Sequence, residues 1–394
     1  MSDLIAKVAL EDGSVFAGEA VGAPGISEGE VVFNTSLSGY QEIFTDASYN
    51  GQIVLMTSPL IGNYGINIED TESTRPFLKG VIVRELSRVP SNFRSQGDLG
   101  SYLREQGVVG ISGVDTRAIT KRLRNTGSLK GVVASGEPND ADLADSTLID
   151  RARAWEGLAG RDMVSEVTCS EIQRWESGFT SSFSAANATV FGKHGKARAA
   201  EGLRVVAYDF GIKHNILRIL YEIGFEVYVV PAHTTASEVR ALEPHGLFLS
   251  NGPGDPEGVD YAVREIVPLL EENYPTFGIC LGHQLTALAL GARTYKLKFG
   301  HHGGNHPVKN LATGKVDISV QNHCYAVDVD SLPKELEPTF INLNDKSLEG
   351  LRHKELPIFT VQFHPEAAPG PNDFTFLFEE FSMLVRQHAG SVHR

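Results

Sequence analysis

The segment Gly278-Ile279-Cys280-Leu281-Gly282-His283-Gln284 places a thiol in a context that favours nucleophilic chemistry. An apolar run, Pro275 to Ile279, precedes the cysteine, and a helical pattern, His283 to Leu290, follows it. These patterns predict a strand, a tight turn with Cys280 at its apex, and a helix. Glycines are needed beside the turn because side chains there would clash. The free N–H groups at the helix N-terminus favour a thiolate, so Cys280 is a candidate nucleophile.

The alternative for Cys280 is structural. A lone cysteine is most often a small buried hydrophobic residue. The paired glycines and the change from strand to helix favour the nucleophile instead, although the same corner with serine serves unrelated hydrolases.

His364 is the candidate base for this cysteine. A cysteine nucleophile needs a base and a group that orients the base. His364 follows the apolar run Ile358 to Phe363 and precedes Pro365-Glu366. A residue before proline is held extended, so His364 and Glu366 can project to the same side and the carboxylate can orient the imidazole. The alternative is that His364-Pro365-Glu366 forms an ordinary surface turn. The position of these residues directly after a predicted strand disfavours this alternative.

Two further segments suggest binding groups. Gly252-Pro253-Gly254 offers backbone N–H groups that, with the N–H of Leu281, suit an oxyanion hole; the alternative is an ordinary turn. The run from His301 to His306 lacks an accompanying Cys, Asp or Glu at the spacing of known metal sites, and we predict no metal site. The sequence has no Gly-x-x-x-x-Gly-Lys-Ser/Thr loop and no Gly-x-Gly-x-x-Gly after a strand, so no ATP or dinucleotide site is predicted.

Residues 203–394 are predicted to form an α/β domain with a doubly wound, mostly parallel sheet. Strands alternate with helices in its first part. The predicted strands are Leu203–Tyr208, Glu226–Val230, Leu247–Ser250 and the one before Cys280, and the helices are Asn215–Ile223, Ala236–Leu242 and Tyr261–Glu272, the last broken by Pro268. Ligand sites in such sheets lie at the carboxyl ends of strands, where Cys280, the loop after Ser250 and His364 all fall.

Residues 1–150 are predicted to form a β-rich mixed domain. It opens with a hairpin, Lys7–Leu10 and Ser14–Ala17, and contains helices at Asp98–Gln106 and Thr116–Asn125. Residues 151–202 form the predicted connector, because Ser177 to Lys196 is rich in small and polar residues. The sequence does not decide with which domain 151–176 packs.

Composition excludes several classes of protein. The 394 residues carry a formal net charge of −14, which disfavours nonspecific binding to nucleic acid or membrane surfaces. No apolar stretch approaches the ~18 residues that span a bilayer, and the N-terminus lacks a signal-peptide pattern. Three cysteines cannot form a disulfide framework, so we expect a cytoplasmic protein.

The motifs together resemble a known family. The Cys280 segment, Asn251-Gly252-Pro253-Gly254-Asp255-Pro256 and His364-Pro365-Glu366 are similar to class I (triad) glutamine amidotransferases. Other segments resemble the small, glutaminase subunit of carbamoyl-phosphate synthetases: Asn34–Glu42, Asp46–Tyr49, Gly62–Gly65, Gly300–Pro307 and Pro365–Pro371. The resemblance covers essentially the full chain.

The resemblance implies roles for individual residues. Cys280 would be the nucleophile, His364 the general base and acid, and Glu366 its orienting partner. The implied glutamine-binding residues are Ser48, Gly252, Gly254, Leu281, Gln284, Asn322, Cys324 and Tyr325. One departure is Asn322-His323-Cys324-Tyr325, where the family usually has glycine at the third position. A cysteine would be strained there if the site needs a positive φ, but would serve if the site supplies only an N–H.

The resemblance also implies a partner and a pathway. L-glutamine would be hydrolysed through a cysteine thioester, and the ammonia would pass to a large synthetase subunit that makes carbamoyl phosphate for arginine and pyrimidine synthesis. ATP and Mg would bind that large subunit, and no cofactor is expected in this chain. Three alternatives stay open: an amidotransferase subunit of another synthetase, a free-standing cysteine hydrolase, and a catalytically inactive regulatory subunit.

Overall fold

The computed structural model describes residues 4–179 and 199–392, and these residues divide into two compact units. The first comprises residues up to Ala159 together with Leu297–Gly303, and the second comprises Gly160–Lys296 and the residues from Gly304 onward. Among the described residues, no helix is both long and apolar enough to cross a bilayer.

The first unit is built around a closed barrel of seven strands. The barrel strands are β1 (Ile5–Leu10), β2 (Val15–Gly22), β3 (Gly25–Asn34), β4 (Gln52–Met56), β6 (Gly80–Ile82), β8 (Val109–Ser112) and β9 (Leu129–Gly136), and β5 (Leu60–Ile61) pairs with β7 (Glu85–Leu86). The helices are α1 (Tyr40–Thr45), α2 (Leu99–Glu105), α3 (Thr116–Thr126) and α4 (Asp145–Ala154). Alternate residues of β1, Ala6, Val8 and Leu10, join one apolar core, while Ala9 packs with α4.

The second unit has five α-helices among its described residues and a ten-stranded sheet, of which only Leu297–Gly303 in one strand is assigned to the first unit. In spatial order its strands are β10 (Gln173–Trp175), β12 (Glu226–Pro231), β11 (Arg204–Asp209), β13 (Gly246–Leu249), β14 (Thr276–Ile279), β19 (Ile358–Val361), β18 (Leu348–His353), β17 (Leu336–Asn342), β15 (Thr294–Asn310) and β16 (Val316–Val327). The helices are α5 (His214–Ile223), α6 (Ala236–Ala241), α7 (Asp260–Glu271), α8 (Leu281–Ala289) and α9 (Phe376–Val392).

Helices cover both faces of the parallel part of this sheet. Val205 and Ala207 of β11 pack in one core with α5 and α9, whereas Val206 and Tyr208 pack in a second core with α6, α7 and α8. Strands β12, β11, β13, β14 and β19 are parallel neighbours. The predicted fold class, a doubly wound and mostly parallel sheet beside a β-rich domain, is confirmed.

Two details differ from the sequence predictions. The break at Pro268 is wrong, because α7 continues through this proline and the N–H of Glu272 bonds to its carbonyl at 3.2 Å. Because proline has no N–H, the helix lacks only the bond from residue 268 to the carbonyl of Arg264, and the remaining bonds carry it through. The sheet also continues past β19 through the antiparallel strands β18 and β17, which were not predicted.

The predicted connector, 151–202, is described only in part. Its first residues belong to α4, those from Gly160 belong to the second unit, and β10 pairs antiparallel with β12. Most of the polar run Ser177–Lys196 lies outside the described residues. The boundaries 1–150, 151–202 and 203–394 stay a prediction.

Candidate active site

Cys280 lies at the turn between β14 and α8. Its backbone has φ 54° and ψ −103°, a conformation with positive φ that L-residues rarely adopt. Its N–H donates to the carbonyl of Val361 in β19 at 2.8 Å, which fixes the turn to the neighbouring strand. The turn therefore holds the sulfur at the carboxyl end of the parallel sheet, where the N–H of Leu281, in the first turn of α8, has no acceptor within the helix.

The glycines around the turn are required for the steric reason that the sequence predicts, since a side chain at either position would clash. A Cβ on Gly278 would lie 2.8 Å from the carbonyl oxygen of Gly282, and a Cβ on Gly282 would lie 2.1 Å from that of Leu249. Both distances are far inside van der Waals contact, so only glycine allows α8 to leave β14 at this angle.

Cys280, His364 and Glu366 are brought together in the buried interior of the second unit. Nδ1 of His364 lies 2.6 Å from Oε1 of Glu366, and both residues are buried. The Cys280 thiol lies 3.5 Å from the carbonyl oxygen of Asn322. Nε2 of His364 makes no well-aligned hydrogen bond to a described residue, but Cys280 is near enough to affect its ionisation. A hydrogen bond between a catalytic base and its nucleophile is often long or poorly aligned before substrate binds.

Lys213 completes this cluster, and sequence analysis did not find it. It is buried in the loop before α5, and its Nζ lies 3.0 Å from Oε1 of Glu366 and 2.5 Å from the carbonyl oxygen of Ala367. Asn215 fixes the same turn, because its Nδ2 donates to the carbonyl of Glu366 at 2.6 Å. The only indication in the sequence is that Lys213 comes shortly after β11. It therefore lies near the carboxyl end of a parallel strand, where ligand sites in such sheets are found.

Charges in the cluster determine its protonation. Burial opposes ionisation of Glu366, but Lys213 and His364 outweigh it and lower the pKa of Glu366 to about 2. Burial likewise opposes the imidazolium, but Glu366 and Cys280 raise the pKa of His364 to about 10. His364 therefore carries a proton at neutral pH, between an ionised carboxylate and the sulfur of Cys280, and this positive charge favours the thiolate form of the cysteine.

The loop after β13 approaches the same turn. A Cβ on Gly252 would lie 2.2 Å from the carbonyl oxygen of Phe210 and 2.8 Å from Cδ2 of Leu281, so this position admits only glycine. Gly254 has φ 88°. The loop and the start of α8 therefore come together at the carboxyl ends of β13 and β14, as an oxyanion site would need.

Comparisons with known proteins cover almost the whole chain, and they point to the same family. Residues 8–133 match the family described as carbamoyl-phosphate synthase small chain, CPSase domain, and residues 206–384 match glutamine amidotransferase class-I. The carbamoyl phosphate synthase small chain of Syntrophotalea carbinolica is 52% identical over 98% of this chain and 99% of its own length. The protein of the same name from Thermus thermophilus is 50% identical over 98% of this chain and 95% of its own.

The chain belongs to the carbamoyl-phosphate synthase small-chain family. The resemblance inferred from the motifs is thereby confirmed. A solved structure from Thermoplasma acidophilum, described as a putative GMP synthase subunit, is 24% identical, with a TM-score of 0.44, over 51% of this chain and 100% of that chain.

Gln284, a candidate glutamine-binding residue of this family, lies in α8 one turn after the cysteine. Its Nε2 donates to the carbonyl of Tyr325 at 2.8 Å and to Oε1 of Gln362 at 3.0 Å. Three further candidates, Asn322, Cys324 and Tyr325, lie in β16, and the Asn322 carbonyl contacts the thiol. Tyr325 thus joins β16 to α8 through its backbone.

At position 324, where the resemblance predicts glycine, this chain has cysteine. It lies within β16 and is not among the described residues with a positive φ. The alternative that cysteine is strained here is therefore wrong. A role for Cys324 in binding through its backbone stays a prediction.

Ser48 and the histidine run 301–306 both belong to regular elements of the structure. Ser48 is buried in the first unit, in a short 3₁₀ turn where its N–H donates to Oδ1 of Asp46 at 2.9 Å. The run from His301 to His306 lies inside β15 rather than in a loop. The role of Ser48 stays a prediction from the family.

His283, beside the nucleophile, is a packed residue. It is fully buried, and its Nδ1 lies 2.7 Å from Oγ1 of Thr360. Burial lowers the pKa of His283 to about 3, so its imidazole is neutral at physiological pH.

We expect this burial to make the fold sensitive to acid. The pKa of His283 is lower in the folded chain than the ordinary 6.5, so its contribution to stability is lost as pH falls below 6.5. Between pH 7 and pH 5 this loss is about 2 kcal/mol. His283→Asn should flatten the dependence of the free energy of unfolding on pH by that amount, as measured by denaturant unfolding at both pH values. Equal slopes in the two proteins would contradict the assignment. The contributions of His364 and Glu366 are present in both proteins and cancel from the comparison.

Proposed function

We propose that this chain hydrolyses L-glutamine and supplies the ammonia to a large synthetase subunit that makes carbamoyl phosphate. The observation that carries the proposal is the buried arrangement of Cys280, His364, Glu366 and Lys213 in the part of the chain that matches class-I glutamine amidotransferases. The match of residues 8–133 to the carbamoyl-phosphate synthase domain supports the choice of synthetase over the other acceptors of ammonia.

The chemistry follows from the positions of these groups. The Cys280 thiolate attacks the carboxamide carbon of glutamine, and backbone N–H groups, such as that of Leu281, stabilise the oxyanion. His364, which carries a proton, donates it to the amide nitrogen as the C–N bond breaks and ammonia leaves. A glutamyl thioester remains. Water, deprotonated by His364, then attacks the thioester carbon, and glutamate and the thiol are released.

Glu366 and Lys213 hold the imidazole ready for both steps. Glu366 binds Nδ1, which leaves Nε2 as the atom that exchanges protons with substrate. Lys213 keeps the carboxylate ionised in a buried site, where an unpaired carboxylate would be strongly destabilised.

A partner is needed for synthesis because activation of bicarbonate requires ATP. We propose that ATP and Mg bind the large subunit and that this chain has no cofactor of its own. We also propose a cytoplasmic or other reducing compartment, since Cys280 must remain a free thiol to react, and arginine and pyrimidine synthesis as the destinations of the product.

The test is reconstitution with the large subunit from the same source. The complex should form carbamoyl phosphate from glutamine, bicarbonate and ATP, with one glutamate released for each carbamoyl phosphate. A chain that hydrolyses glutamine at full rate alone, and gives no carbamoyl phosphate when the large subunit is added, would support a free-standing hydrolase instead.

A further inference from the structure

Gln362 is a buried polar residue that the mechanism above does not use. It follows β19, lies two positions before His364, and has no exposed surface. Its Oε1 accepts a hydrogen bond from Nε2 of Gln284 at 3.0 Å. Its own Nε2 is buried and makes no hydrogen bond to a residue that the structure describes. Gln362 thus interacts with the site through one oxygen atom.

The contacts of Gln284 fix the orientation of its amide. The Nε2 group has two hydrogens, and two acceptors face it: the carbonyl of Tyr325 at 2.8 Å and Oε1 of Gln362 at 3.0 Å. Rotating the amide by 180° would place its oxygen against those two oxygens, which is unfavourable. Oε1 of Gln284 accepts no hydrogen bond from a described residue, so it remains available to a ligand.

We propose that Gln362 is a positioning residue that locks the Gln284 amide with its oxygen available to an N–H group of glutamine. This inference rests on the proposed function, in which Gln284 binds the substrate. It makes the pocket selective: a ligand must offer a hydrogen-bond donor where Gln284 offers only an acceptor. Without Gln362 the amide of Gln284 is held by the carbonyl of Tyr325 alone, so it rotates more readily. Binding then weakens because the wrong orientation faces the substrate with a donor.

The test measures glutamate release against glutamine concentration for the complex with the large subunit. Gln362→Met removes the acceptor but keeps the length of the side chain, and should raise KM for glutamine ~3- to 10-fold, the value of one hydrogen bond. The value of kcat should fall less than about threefold, because Cys280, His364 and Glu366 are untouched. Gln362→Glu retains the acceptor oxygen that faces Gln284. It removes only the Nε2 group, which makes no hydrogen bond to a described residue, so KM should return toward the wild-type value.

A double-mutant cycle separates positioning from a general structural effect. If Gln362 acts through Gln284, then Gln284→Met/Gln362→Met should have the same KM as Gln284→Met alone. Multiplied effects in the double variant, or an unchanged KM in Gln362→Met, would overturn the proposal. If Gln362→Met does not assemble with the large subunit, Gln362→Leu carries the same test. A wild-type complex that fails to hydrolyse glutamine would instead refute the proposed function, and this is seen before any variant is compared.

Discussion

Cys280→Ser in the assembled complex is expected to abolish glutamine-dependent synthesis of carbamoyl phosphate, by a factor of ~10³ or more, while synthesis from added ammonia continues. The reason is that, in the proposed function, this chain hydrolyses glutamine, whereas the large subunit carries out the synthesis, a division of labour between the two subunits. The thiol at the turn between β14 and α8 is the proposed nucleophile, and serine is a much weaker one without a base adapted to it. Ammonia added to the solution does not need the thioester, so the reactions of the large subunit remain.

Cys169→Ser is the matched control for this experiment. Cys169 lies in the same unit, but burial and the nearby Asp209 raise the pKa of Cys169 to about 12, which makes it unreactive. Both activities should survive its replacement. Loss of ammonia-dependent synthesis in a correctly assembled Cys280→Ser complex would contradict the division of labour, and so would retention of the glutamine-dependent activity.

His364→Asn should lower the rate of glutamine hydrolysis by ~10² to 10⁴, which is the usual contribution of a general acid or base. Ammonia is a poor leaving group unless its nitrogen receives a proton as the C–N bond breaks. In the wild-type chain that proton is held on His364 by Glu366, whose carboxylate lies 2.6 Å from Nδ1. Asparagine can occupy the position of Nδ1 but cannot transfer a proton.

The measurement is a single turnover of glutamine by the complex, with His233→Asn as the control because His233 is exposed in the same unit. The control should react as fast as the wild-type complex. A His364→Asn variant within about tenfold of the wild-type rate would show that another group supplies the proton.

The chemistry-bearing turn could be predicted from the sequence because its constraints are local. Gly278 and Gly282 stand within a few residues of Cys280, and the clash that a Cβ would cause involves the backbone of the same segment or of β13. The parallel sheet was also predictable, because short apolar runs alternate with helical patterns along this part of the sequence, as parallel sheets require. His364 and Glu366 are two residues apart, so their contact could be expected from the intervening proline.

Lys213 and Gln362 could not be predicted in the same way. Lys213 reaches Glu366 across more than a hundred residues of sequence, and a lysine before a helix is ordinarily exposed. Gln362 was part of a predicted strand, but its role depends on a hydrogen bond to α8 that only the packed structure shows. Strand β15 was missed because histidine, asparagine and glycine are frequent in it and are not typical of strands.

The most direct test of the mechanism is acid quenching of the complex during turnover of glutamine, followed by mass spectrometry of its peptides. We expect one glutamyl group attached to the peptide that contains Cys280, and no such group in Cys280→Ser. Turnover without any glutamyl adduct on Cys280, or with an adduct on Cys169 or Cys324, would contradict the assignment of Cys280 as the nucleophile.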